Sequence, residues 1–186
     1  MEILECINSK RSIRVYADEI IPEEVLTNLI ELGTKVSTGS GLEPWGFVII
    51  QDKNEIDSLS EMTKQYLLDN FEKYPYLQQY KDWLKNSQYS IFNHASTLLI
   101  IYGNVESHWH VYDCSLVAGN IMLAAHSMGI GTCWIGFAEY TLNTKEFKEK
   151  YGVPEQYELV CPMSIGYMKT KLTPPKRKKP IIFNKK

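Results

Sequence analysis

A chain of 186 residues, 44% hydrophobic and 23% charged with a formal net charge of −2, can bury the core of one domain and is too apolar to remain disordered. No apolar run approaches the roughly 20 residues of a membrane helix, and the N-terminus MEILECINSK has an acidic second residue and no small-residue cleavage site. Neither a membrane partner nor a secretory leader is therefore expected, and a cytoplasmic location is. Cys6, Cys114, Cys133 and Cys161 form no CxxC pair, so buried free thiols are expected rather than a zinc ribbon or a redox pair.

In chain order, Ile3, Leu4 and Ile7 suit a short amphipathic helix over 2–8, followed by KRSIRVY (10–16) as a loop. Pro22 with Glu23 and Glu24 marks a helix start, and Val25, Leu26, Leu29, Ile30 and Val36 its apolar face. STGSG breaks that helix, and GFVIIQ reads as a buried strand. Residues 54–92 read as a polar and aromatic helical region interrupted at Pro75, and STLLIIYG as a second buried strand. CSLVAGNIMLAAHSM (114–128) is apolar on nearly every face, with Asp113 as its expected N-cap and Gly129 as its stop. A helix apolar all round must be covered all round, at the centre of a fold or at a subunit interface. TCWIG reads as a short strand or extended loop, 141–151 as a helix and YELVCPMSIGY as a longer strand. Pro174 and Pro175 exclude a helical ending, so the tail should run extended. Helices and strands mix without regular βαβ alternation, which predicts an α+β fold of one domain over 1–186, with 169–186 as an extended basic tail. Its apolar PIIFN should seek a sheet edge, which could belong to a partner subunit.

The charges are unevenly placed. Lys10, Arg11 and Arg14 surround Ser12, and such a cluster is self-repelling unless an anion sits among the cations. No acidic residue follows Glu158, and Lys169, Lys171, Lys176, Arg177, Lys178, Lys179, Lys185 and Lys186 make the tail a second candidate anion site. GSGLEPWG and GIGTCWIG lack the third glycine of a dinucleotide fingerprint, and no GK[ST] occurs. A metal site is not expected in HWHVYDC: His108 and His110 converge only on a strand, whereas Asp113 and Cys114 begin a helix. Phe71, Tyr74, Tyr76, Tyr80, Trp83, Tyr89 and Phe92 form an aromatic group, interspersed with Glu72 and Asp82 and remote from the basic segments. It is expected to be half core and half pocket lining rather than a nucleic-acid platform.

Together, KRSIRVY, STGSGLEPWGFVII, AAHSMGIGTCWIGF and LTPPKRKKP, in this order, resemble the nitroreductase family of FMN-dependent oxidoreductases across almost the whole chain. The resemblance implies a central, mainly antiparallel sheet flanked by helices. It also implies a homodimer with two FMN sites at the interface and a C-terminal extension that wraps the partner. By position, Lys10 and Ser12 would contact the FMN phosphate or ribityl chain with Arg11 beside them. Arg14 would face the pyrimidine edge of the ring, Ile135 and Gly136 its N5 and O4 edge, and Lys176 and Lys178, flanking Arg177, would join the phosphate. Hydride delivered to flavin leaves negative charge near N1 and O2, and Arg14 would stabilise it. NAD(P)H would reduce the flavin and leave, and a nitro compound, quinone or similar small acceptor would then take its place in ping-pong fashion. The flavin carries the chemistry, so no catalytic acid or base is implied.

The second segment departs from the family pattern Ser-Ser-x-Asn-x-Gln-Pro-Trp. Thr38, Gly39, Gly41 and Glu43 stand where the family has Ser, Ser, Asn and Gln, so polar side chains that would touch flavin or substrate are missing. Glu43 would either pair with a nearby arginine or place a carboxylate near the ring and lower its potential. The alternative function is a flavin-binding protein with little turnover.

Overall fold

A computed structural model describes residues 1–170, 172–173 and 176–184. Four strands, β1 (Trp45–Ile50), β2 (Thr97–Asn104), β3 (Ile130–Trp134) and β4 (Tyr157–Tyr167), form one sheet in the order β1-β2-β4-β3, antiparallel at every step. The continuous apolar run of β2 makes sense at the centre of this sheet, because both of its faces are covered. Leu98, Ile100 and Tyr102 point to one layer, with Ile56, Leu67 and Leu142, while Leu99 and Ile101 point to the other, with Leu29, Val117 and Ile121. Helices on both faces of an antiparallel sheet give the expected α+β architecture.

The helix α1 (Ile3–Ser9) leads to α2 (Glu23–Gly33), which starts after Pro22 with Glu23 and Glu24 in its first turn. The aromatic stretch is less helical than its composition implies. Asp52 caps α3 (Lys53–Asp69) by accepting the Glu55 N–H at 3.0 Å, and then two 3₁₀ segments, Phe71–Lys73 and Pro75–Tyr80, precede the short α4 (Lys81–Lys85). Asn70 at φ −108° and Pro75, which pushes Tyr74 before it out of the helical region, break the ladder and leave aromatic side chains on tight turns. The helix expected over 141–151 is two, α6 (Glu139–Leu142) and α7 (Lys145–Lys150), because the Thr144 hydroxyl accepts the Phe147 N–H and starts a new helix.

The long helix α5 (His110–Ser127) begins before Asp113, so Asp113 is not its N-cap. Trp109 is the N-cap, without a side-chain cap, and Ser107 supports the turn before it: its hydroxyl accepts the Trp109 N–H at 3.3 Å and its carbonyl the His110 N–H at 3.1 Å. One side of α5 is buried against α2 and the sheet, whereas Val111, Tyr112 and Leu116 on its outer side are exposed. Exposed Ile3, Leu4 and Ile7 of α1 enlarge this open apolar surface, since α1 docks on α5 through buried Cys6 and a 2.9 Å contact between Ser9 Oγ and His126 Nε2. All four cysteines are buried and free. No described helix is long and apolar enough to cross a membrane.

Candidate cofactor site

KRSIRVY lies along the outer edge of β3. Ser12 bridges Thr132 in parallel, the Ile13 N–H donates to the Thr132 carbonyl at 2.9 Å, and the Ala17 N–H to that of Tyr167 at 2.9 Å. Buried Ile13 and Tyr16 anchor the segment, and the Tyr16 hydroxyl donates to the Ile13 carbonyl at 2.7 Å. Ser12 and Arg14 alternate with Ile13 and stay exposed. The fit depends on Gly131: a Cβ there would fall 2.6 Å from the Ile13 Cβ.

Lys10 is half-buried, its Nζ 3.2 Å from the Met122 sulfur of α5. Burial lowers its pKa, and the charges of Arg11 and Arg177 press the same way against the opposing influence of Cys133 and Cys161. The tail thus brings Arg177 within electrostatic reach of Lys10, with exposed Lys176 and Lys178 on either side of it. Arg11 is turned away, donating to the carbonyls of Lys10 and Asn8 at the end of α1. None of Lys10, Arg11, Arg14, Lys176, Arg177 or Lys178 has a carboxylate partner among the described residues. A desolvated lysine without a counter-ion, beside further cations, is a site that gains by taking an anion.

The segment opens into a cleft of about 380 Å³ whose walls include Arg14, Cys133, Ile135 and Gly136 on one side and Tyr76, Tyr80, Trp83 and Tyr89 on the other. A Cβ at exposed Gly136 would meet nothing within 4 Å, so the backbone there is open to a flat ligand. The aromatic group divides between core and cleft: Phe71 and Phe92 are buried in the core, Tyr74 packs against the Tyr140 ring at its border, and Tyr76, Tyr80, Trp83 and Tyr89 line the cleft. Burial raises the Cys133 pKa, against Arg14, Lys10 and a hydrogen bond from Ser12, which leaves a neutral thiol rather than a nucleophile. Among the described residues no three His, Cys, Asp or Glu side chains could hold a metal ion.

Asn93 was not foreseen as part of the cleft. It lines the wall with φ of 56°, followed by His94 at 53°, two successive left-handed residues between buried Phe92 and Ala95. The tolerance of Asn for that conformation was the available signal, but FNHAS contains no glycine to draw attention to it.

The loop carrying Thr38, Gly39, Gly41 and Glu43 lies elsewhere. The Gly39 N–H donates to Asp113 Oδ1 at 2.9 Å, near the start of α5, whereas Lys10 touches Met122 near its end. At about 1.5 Å rise per residue, the two contacts are roughly 14 Å apart along the helix. One chain therefore gathers Lys10, Ser12, Arg14, Ile135, Gly136 and the tail, but leaves the 38–43 loop at the opposite end of α5. Gly41 has φ of 66°, which explains how it can stand in for asparagine: both residues accept the left-handed backbone. Glu43 adopts φ of 48°, a conformation that costs a non-glycine residue roughly 1–2 kcal/mol. It is exposed and has no ion pair among the described residues, so the expected arginine partner is not supplied within this chain.

Residues 7–167 match the model of the nitroreductase family. A curated protein of Archaeoglobus fulgidus with the provisional name NADH dehydrogenase/NAD(P)H nitroreductase is 29% identical over 168 residues, covering 90% of this chain and 86% of its own. The crystal structure of a nitroreductase with bound FMN from Bacteroides fragilis superposes with a TM-score of 0.83 at 27% identity over 100% of both chains. An FMN-dependent nitroreductase from Clostridium difficile shares the fold at a TM-score of 0.80 and 21% identity, covering 100% of this chain and 98% of its own. With its antiparallel sheet, its cationic segment on β3 and its glycine-lined cleft, the chain belongs to the nitroreductase family.

Proposed function

We propose that the protein is an FMN-dependent oxidoreductase that takes electrons from NAD(P)H and delivers them to nitro compounds, quinones or similar small acceptors. The observation that carries this reading is the cluster of Lys10, Ser12 and Arg177, without a carboxylate partner among the described residues, on a segment whose Arg14 enters a cleft with an open glycine backbone. A phosphate dianion fits the cations and a flat ring fits the cleft. Family membership and the FMN in the Bacteroides fragilis structure support the same assignment. When bound, FMN supplies the capacity to accept a hydride and pass electrons on. Lys10, Ser12, Lys176 and Lys178 hold the phosphate end, and the backbone at Ile135 and Gly136 borders the ring. The aromatic wall stacks donor and acceptor and excludes water. Donor and acceptor take turns over the same ring, in alternating reduction and oxidation.

The working unit is a homodimer of one-domain chains, 1–186, each with its basic tail from about 169. A twofold axis crossing the middle of α5 sets the Asp113 end of one copy beside the Met122 end of the other. The 38–43 loop of each chain then completes the site of its partner. This pairing covers exposed Val111, Tyr112 and Leu116, and exposed Gly119, with open space at its Cα, allows close helix approach. Ile181, Ile182 and Phe183, which are 80%, 67% and 98% exposed, require a cover too. The free edge of β1 on the partner is a suitable receptor, because the edge of β3 already carries Ser12.

Arg14 lines the cleft as a cation without a carboxylate partner among the described residues and stabilises negative charge that accompanies reduction. Arg14→Ala should keep FMN affinity within about tenfold and make the flavin reduction potential more negative by roughly 20–40 mV, equivalent to about 1–2 kcal/mol for two electrons. Glu43, facing the partner's ring across the interface, acts oppositely, so Glu43→Gln should raise the potential. Spectroelectrochemical titration of both variants tests the pair. An unchanged potential in Arg14→Ala contradicts its placement, and one unchanged in Glu43→Gln removes the carboxylate from the ring's surroundings.

A further inference from the structure

Asp113 is 3% exposed, yet its carboxylate serves no group of its own helix. Oδ1 accepts the Gly39 N–H at 2.9 Å across 74 residues of sequence, and Oδ2 has no hydrogen-bond partner among the described residues. Trp109, one turn earlier, lies against the same glycine, where a Cβ would come within 2.4 Å of the indole. Directly after this clamp the backbone is left-handed at Ser40, Gly41 and Glu43, with φ of 60°, 66° and 48°. Two of these residues carry side chains, so the loop holds a conformation that it would not choose alone. The positive dipole end of α5 makes the first turn a tolerable place for a buried carboxylate. Leaving one of its oxygens without a donor is nevertheless a cost that an apolar residue would avoid.

We infer that Asp113 is a positioning residue: through the Gly39 amide it fixes the 38–43 loop in the shape that meets the cofactor bound in the partner's half-site. The inference rests on the proposed two-chain FMN site. Asp113 touches neither cofactor nor substrate. It acts as a hydrogen-bond acceptor, and its charge is incidental. Gly39 belongs to the same device, since any larger residue would be driven into Trp109 and off the carboxylate. The side chains lost at positions 39 and 41 are thereby replaced as ordering elements by a clamp from α5.

The test is FMN affinity, read by quenching of flavin fluorescence on addition of apoprotein, alongside the melting temperature and the oligomeric state. Asp113→Asn keeps an acceptor for Gly39 and should bind FMN within about threefold of wild type. Asp113→Ala, assayed as a folded dimer, should bind at least tenfold more weakly. Alanine binding as tightly as wild type overturns the inference, and asparagine as weak as alanine overturns the acceptor role. If Asp113→Ala does not fold, amide hydrogen exchange on the wild type decides: slow exchange at 39 supports the clamp, and exchange at the rate of an open loop overturns it. Wild-type protein that binds no FMN defeats the cofactor reading and this inference together, an outcome distinct from loss of the alanine effect alone.

Discussion

Replacing Lys10 and Lys176 together by alanine is expected to weaken FMN binding by about a hundredfold or more. Charge-assisted hydrogen bonds to a phosphate are worth roughly 1.5–3 kcal/mol each. Two of them amount to about 3–6 kcal/mol, a factor of roughly 10²–10⁴. Lys176 is exposed and screened by salt, which puts the expected effect towards the lower end. Lys10 carries the larger share, because it is desolvated and has no carboxylate partner among the described residues. The same facts predict what happens without cofactor. The Lys10 pKa is lowered on folding, so the unfolded chain binds more protons, and the cost of the charged lysine is fully present below its folded-state pKa. That cost is relieved only as pH rises towards the ordinary value of 10.5. At neutral pH the apo form of the double variant should therefore be no less stable than wild type, while its FMN dissociation constant rises. An unchanged dissociation constant would remove the phosphate from this position.

Gly131→Ala is expected to damage both stability and cofactor binding. The new methyl group would lie 2.6 Å from the Ile13 Cβ and 2.7 Å from both of its γ carbons. Ile13 is β-branched and 3% exposed, so it cannot rotate clear. The strand cannot retreat either, since Gly131 pairs with Gly166 of β4, where a Cβ would in turn meet the Tyr16 ring at 2.9 Å. The two glycines together make the flat surface on which KRSIRVY rests. Overpacking of this kind costs roughly 1–3 kcal/mol, and relief by lifting the segment would also displace Ser12 and Lys10. Chemical denaturation should show the loss of stability, and FMN affinity should fall at least tenfold. Wild-type values in both would mean that the segment is not held as described.

Much of this arrangement was legible in the sequence, for identifiable reasons. The β2 run reads as buried because both faces of a central strand need apolar residues, and Pro22 with two carboxylates announces α2. The cations around Ser12 pose an electrostatic question that the fold sharpens, because the charge of Arg177 adds to theirs. What local pattern cannot carry is the distance between segments. Nothing in STGSG or HWHVYDC says that Gly39 donates to Asp113, so the carboxylate reads as a helix cap when its use is tertiary. Likewise the 38–43 loop and KRSIRVY are equally plain as motifs, but only the fold shows that α5 holds them at opposite ends. The aromatic stretch reads as helical apart from the interruption at Pro75, but the ladder already breaks at Asn70 and gives way to tight turns. Asn93 escapes notice since a left-handed conformation at a non-glycine residue leaves a weak mark on sequence.

The measurement that bears most directly on the central claim is a titration of the purified apoprotein with FMN, its mass determined in solution before and after. A yellow dimer binding two FMN, bleached by NAD(P)H without oxygen and restored by a quinone or nitro acceptor, is the predicted result. A chain that binds no FMN, or binds it fully as a monomer, would contradict the two-chain site, and a yellow dimer that NAD(P)H does not bleach would contradict its turnover.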